Sequence, residues 1–149
     1  MFLTFDTETT GLPKNFKADV SDSENWPRLV QLAWQLNNEK GDLLSNDSLI
    51  IKPDGFTIPF NSEKVHGIST EIANNNGIDL KEAILKFEKD LKKSKYIIGH
   101  NINFDINILG AEYFRLKFKS ELTEKNKIDT GFISKKFCNL KGGFGGGLK

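Results

Sequence analysis

The hydrophobic periodicity of this chain changes once, and that change limits the folds open to it. Up to residue 52 the apolar residues come in short β-branched and aromatic runs; beyond Pro53-Asp54-Gly55 and Pro59 the clearest pattern is helical. Residues 2–7 read as a strand, closed by the turn Gly11-Leu12-Pro13. Residues 14–27 are polar and irregular, a surface loop ending at Trp26-Pro27. Residues 29–36 read as a second strand, and Asn37-Asn38-Glu39-Lys40-Gly41-Asp42 carries the residue types of a hairpin turn into a third strand over 43–52. Three successive strands joined in this way predict an antiparallel meander.

Downstream, residues 62–68 have room for one or two helical turns. Leu80, Ala83, Ile84, Phe87 and Leu91 recur on one helical face, and Asp79 followed by Glu82 has the form of a capping box. Residues 95–99 read as a short buried strand and 103–119 as a second helix, with Arg115, Lys117 and Lys119 suited to its C-terminal end. Residues 127–130 predict a further strand and 132–137 the start of another helix. A meander followed by alternating helices and strands predicts an α/β fold with a mixed sheet.

With 149 residues, 38% of them hydrophobic and 28% charged, the chain has the material for one core and reads as a single domain over 1–149. The run Lys141-Gly142-Gly143-Phe144-Gly145-Gly146-Gly147-Leu148-Lys149 predicts a flexible loop; no Gly-Lys-Ser/Thr follows the glycines, so a phosphate-binding loop is excluded. No apolar stretch approaches the roughly 20 residues of a membrane span, and Asp6 arrives too early for a secretory signal. Cys138 is the single cysteine and reads as a bystander thiol, consistent with a reducing compartment, so the expected location is the cytoplasm. Charge is uneven: residues 1–114 hold 12 Lys/Arg against 17 Asp/Glu, and residues 115–149 hold 9 against 3. The basic C-terminal third could face a phosphate backbone or be a solvated lysine-rich surface, and charge alone leaves both open.

Strand side chains alternate between faces, so Asp6 and Glu8 project to the same side at the end of the first strand. Two hard oxygen donors so placed suit Mg²⁺ or Mn²⁺. In Gly99-His100-Asn101-Ile102-Asn103-Phe104-Asp105 a strand runs out through a polar turn into a helix whose first turn holds Asp105. The helix N-terminus favours the charged carboxylate there, and Phe104 can anchor the turn in the core. If this strand neighbours the first, the three carboxylates approach one point, and clustered like charges call for cations.

Phe5-Asp6-Thr7-Glu8-Thr9-Thr10-Gly11-Leu12 and Asn101-x-x-Phe104-Asp105 resemble the first two motifs of the DEDD superfamily of 3′-to-5′ exonucleases, and His66-Gly67-Ile68 between them is similar too. The superfamily includes the proofreading subunit of bacterial DNA polymerase III and ribonuclease T. The resemblance implies an RNase H-like sheet flanked by helices and hydrolysis of terminal phosphodiesters of DNA or RNA with two divalent ions, Mg²⁺ or Mn²⁺. It implies that Asp6 bridges both ions, Glu8 holds the ion that activates water, and Asp105 supports the second; these three are the expected catalytic residues and metal ligands. Thr7, Thr9, Leu12, His66, Asn101 and Phe104 are the expected substrate-binding residues. Leu12 would pack against the terminal base or, alternatively, cap its turn as an apolar residue. His66 would order a loop or approach the substrate backbone, and His100 reads as a structural residue at a strand end rather than a base. The implied partners are a single-stranded 3′ end and a DNA polymerase subunit, with no membrane.

The resemblance also carries a departure. The superfamily has a third motif, a fourth carboxylate with a histidine or tyrosine a few residues before it on a late helix, and no acid follows Asp129. Asp129-Thr130 resembles the strand end that precedes this late region and is not the fourth carboxylate. The expectation is therefore a domain incomplete at its C-terminus, without the last helices, marginally stable and impaired in hydrolysis. The competing expectation is a catalytically silent module that binds nucleic-acid ends or a polymerase.

Overall fold

The pleat of the first strand decides which side of the sheet is buried. In β1 (Phe2–Thr9) the side chains of Leu3, Phe5, Thr7 and Thr9 turn into the protein, leaving Thr4, Asp6 and Glu8 on the opposite face. The computed structural model describes residues 1–138, so the expected glycine-rich loop at 141–149 lies outside the described residues. β2 (Leu29–Asn37) and β3 (Leu43–Ile50) complete the predicted meander, with Phe5 opposite Trp34 and Trp34 opposite Asp47. β1 runs two residues further than its sequence suggests because Glu8 and Thr9 still pair with Gln31 and Leu29. Asp6 and Glu8 therefore sit within a hydrogen-bonded ladder and not on a frayed end.

Two short helices, α1 (Phe60–His66) and α2 (Thr70–Asn76), precede the predicted long one, α3 (Leu80–Leu91). α2 has no counterpart in the sequence reading because only Ala73 of it is buried, so it carries no apolar stripe; the Ser69 side chain starts it by accepting from the Ile72 N–H. Asp79 caps α3 by accepting from the Lys81 and Glu82 amides, while the Glu82 side chain pairs with Lys86 at 3.3 Å. β4 (Tyr96–Gly99) lies parallel to β1, and α4 (Asn103–Leu116) follows it. α4 ends three residues before the expected 119 because Lys117 takes a left-handed φ of 52° and closes the helix with its N–H on Phe114 and Tyr113 carbonyls. β5 (Asn126–Asp129) and α5 (Thr130–Cys138) complete the described chain.

The sheet order is β3-β2-β1-β4-β5, antiparallel in the meander and parallel from β1 through β5, which is the expected mixed sheet flanked by helices. α3 and α4 supply the helical part of the core through Ala83, Ile84, Phe87, Leu91, Ile108 and Leu109, packed with Leu3, Phe5, Leu32 and Trp34. The fully buried Phe87 ring meets Phe5 and Trp34 edge-on at 5.4 and 5.6 Å, a site where truncation to alanine costs about 3–5 kcal/mol. On the other side of the sheet Thr4, Asp6, Ala33, Gln35 and Asn46 line an open cleft of about 730 Å³. Among the described residues no helix is long and apolar enough to cross a membrane.

Candidate active site

Parallel pairing of β1 with β4 brings the two sequence motifs together. Thr4 lies opposite Ile98, so β4 ends at Gly99 level with the approach to Asp6, and the turn that follows delivers α4 beside β1. That turn is tightly held. Asn101 sits at a left-handed φ of 57° with its N–H on Asp129 Oδ1 at 3.0 Å. Its side-chain amide lies over Gly131, where an added Cβ would stand 2.8 Å from Asn101 Oδ1, so a larger residue there would have to displace that side chain. Asp129 Oδ1 also accepts from the Phe132 N–H at the start of α5, which leaves it a structural acid, as its place at a strand end suggested. Thr130 Oγ1 donates to the Gly99 carbonyl at 3.1 Å and lies 3.3 Å from His100 Nδ1, the structural position expected of that histidine.

Asp105 in the first turn of α4 is almost wholly buried, and its Oδ1 accepts from both the Thr7 N–H (3.0 Å) and the Thr7 hydroxyl (2.6 Å). Asp6, Glu8, Leu12, Phe104 and Asp105 line one cleft of about 690 Å³. Asp6 is exposed and Glu8 half-buried. Burial, reinforced by the charge of Asp6 and partly opposed by His66, raises the Glu8 carboxyl above its ordinary value. Burial likewise pushes Asp105 up to about 6, with the Thr7 hydrogen bonds opposing and the negative Asp6 adding to the rise. Here the structure corrects the sequence reading, in which the helix N-terminus favours the charged form: loss of water outweighs it.

Asp6, Glu8 and Asp105 share the cleft, but among the described residues no three Asp, Glu, His or Cys side chains gather at distances that could hold one ion. Asp105 meets the strand through its Oδ1, which accepts both Thr7 hydrogen bonds. The donor set still fits a hard divalent cation, because Mg²⁺ commonly takes one or two protein carboxylates and fills its remaining positions with water and phosphate oxygens. Asp6 and Glu8 supply that pair on one strand face.

The expected substrate contacts divide. Thr7 is buried and its hydroxyl is committed to Asp105, and Thr9 is buried with its hydroxyl donated to the Gly11 carbonyl at 2.6 Å, so both hold the site's frame instead of offering a hydroxyl to a ligand. Leu12 follows Gly11 (φ +149°), is 74% exposed and lines the cleft. Asn101 and Phe104 line the cleft beside it. His66 orders its loop, its Nδ1 accepting from the Ile68 N–H at 3.1 Å; its Nε2 is buried with no hydrogen-bond partner among the described residues. Sequence reading missed Phe16 and Trp26, which line the same cleft from the β1–β2 loop. Their only signal was an aromatic residue at each end of a polar segment.

The exonuclease (RNase T) family model matches residues 3–142. The chain is 33% identical over 135 residues to a PolC-type DNA polymerase III of Ureaplasma parvum, covering 90% of this chain and 8% of that protein. It is 31% identical over 129 residues to the DNA polymerase III subunit epsilon of Treponema pallidum, covering 87% and 53%. The chain thus spans about half the length of one relative and a small part of the other. Among solved structures, E. coli exonuclease I in complex with a dT13 oligonucleotide superposes with a TM-score of 0.72 at 16% identity, covering 92% of this chain and 29% of that one. An exonuclease I complex with an SSB C-terminal peptide gives 0.73 at 17%, covering 94% and 30%. At these identities the likeness is one of fold.

Proposed function

The chain belongs to the exonuclease family, and from that premise we propose that it hydrolyses terminal phosphodiesters at the 3′ end of a single strand. One observation carries the reading: Asp6, Glu8 and Asp105 line a single cleft with the exposed Leu12 and with Phe104. Asp6 and Glu8 would hold a divalent ion, and Asp105 would support a second. Such ions lower the pKa of bound water and offset charge on the phosphate and leaving oxygen. The chain's own residues do the positioning. Thr7 fixes the Asp105 carboxylate through two hydrogen bonds, the β1–β2 ladder fixes Asp6 and Glu8, and Leu12 and Phe104 receive the terminal base through sequence-tolerant apolar contact. The DNA polymerase III relatives and the oligonucleotide complexes of exonuclease I favour DNA as substrate, a polymerase as partner and the cytoplasm as location.

Asp105 is almost wholly buried and gives its Oδ1 to both Thr7 hydrogen bonds, which makes the second ion position the weaker of the two. With that position weak, hydrolysis is slow. The same observation favours the second reading, a module that binds strand ends without cutting them. A 3′-labelled single strand incubated with purified chain and Mg²⁺ separates the two. Slow trimming from the 3′ end, abolished by Asp6→Asn and by chelation, is the expected result. Salt-sensitive binding with no trimming at any Mg²⁺ concentration supports the binding module instead.

A further inference from the structure

We propose that Phe16, on the loop between β1 and β2, is a base-stacking residue that extends the cleft's apolar floor and takes one of the last two bases of a bound strand. This inference rests on reading the cleft as a strand-end site. Phe16 is 59% exposed, yet the chain around it is pinned. The buried Asn25 accepts from the Asn15 N–H at 2.7 Å and returns its own side-chain N–H to the Asn15 carbonyl at 3.0 Å. Val20 seats against Gly110 of α4, where an added Cβ would lie 3.0 Å from its methyl carbon. Arg115 Nη2 donates to the carbonyls of Ser23 and Trp26, both at 2.7 Å.

The segment that carries Phe16 is thus held in place, and the exposed ring lies in the same cleft as the exposed Leu12. Its position narrows the ligand. The Phe16 and Phe104 ring centroids are 6.5 Å apart with planes inclined at 43°, within contact range for an aromatic pair. The rings touch each other and do not frame a slot, so a base stacks on their outward faces. They share the cleft with Asp6, Glu8 and Asp105, where a phosphate would approach through a cation. A planar base attached to a phosphate matches an aromatic floor next to a carboxylate pair better than an aliphatic or peptidic ligand does.

The test uses the full chain with Mg²⁺ and a single-stranded oligodeoxynucleotide whose last linkages are phosphorothioates, with 2-aminopurine at the terminal or the penultimate position. Binding is expected to quench the probe, and Phe16→Ala to weaken affinity roughly 5- to 100-fold while relieving the quench at one of the two positions. Phe16→Tyr should restore both and Phe16→Leu should not. Because the ring is exposed, Phe16→Ala should melt within about 2 °C of the parent chain, separating lost stacking from lost fold. Unchanged affinity and quenching in Phe16→Ala overturn the stacking role and leave the strand-end reading standing. Failure of Phe16→Tyr to restore them also overturns it. No binding by the parent chain at low salt overturns both.

Discussion

Asp105 shows how one side chain can serve two states of a site at cross purposes. Without a cation its charge is buried beside Asp6, and a pKa of about 6 against an ordinary 3.8 corresponds to roughly 3 kcal/mol of disfavoured ionisation. Asparagine keeps the oxygen that accepts from Thr7 and discards the charge. Asp105→Asn is therefore expected to raise the stability of the metal-free chain at neutral pH by about 1–3 kcal/mol and to shrink the additional stabilisation by Mg²⁺. Melts in chelator and in a Mg²⁺ series measure both; a destabilised metal-free variant would contradict the account. The acids themselves were legible, because Asp-x-Glu on a strand and an acid in the first turn of a helix are local patterns. The inward commitment of Thr7 and Thr9 was not, since it depends on which neighbours the fold brings to them.

At the scale of elements, Asp90 joins α3 to the meander. Its carboxylate accepts from Trp34 Nε1 of β2 at 3.1 Å, from the Ser45 hydroxyl of β3 at 2.6 Å and from Lys93 at 2.8 Å. Burial acts to raise its pKa, but the hydrogen bonds from Lys93, Ser45 and Trp34 together outweigh it and hold the carboxyl below the ordinary 3.8. A depressed folded pKa means that the unfolded chain takes up the proton first as pH falls. The stability Asp90 confers is thus complete above its unfolded value and is lost as pH drops from about 3.8 through the lower folded value. Asp90→Ala, which strands the buried indole N–H, is expected to cost about 1–3 kcal/mol at pH 7 and to flatten the acid limb of stability against pH. Denaturant titrations at several pH values check this, and an unchanged acid limb would count against it. The strands and α3 were readable from period alone. α2, with one buried residue, was not, and neither was the pairing of β4 with β1 that makes a site from motifs almost a hundred residues apart.

Across the whole molecule, Glu112 ties the β1–β2 loop to the core. Fully buried in α4, its Oε1 accepts from Arg28 Nε and the Leu29 N–H, both at 3.0 Å, and lies 3.1 Å from Arg115 Nη1 as an ion pair. Removing one partner of such a cluster leaves buried charge uncompensated, so Glu112→Ala is expected to cost about 3–5 kcal/mol and to open the segment 14–28 to proteolysis before the sheet melts. Limited proteolysis with mass analysis tests this, and cleavage confined to the termini would refute it. What the sequence determined by itself was what short-range order can encode: the strand that pairs Asp6 with Glu8, the helix that starts at Asp105, and the family likeness those motifs carry. Tertiary structure alone decided that Asp105 would be tied to Thr7 and that Phe16 would join the cleft. Desolvation and long-range contact depend on neighbours distant in the chain, and no local pattern of residues specifies those.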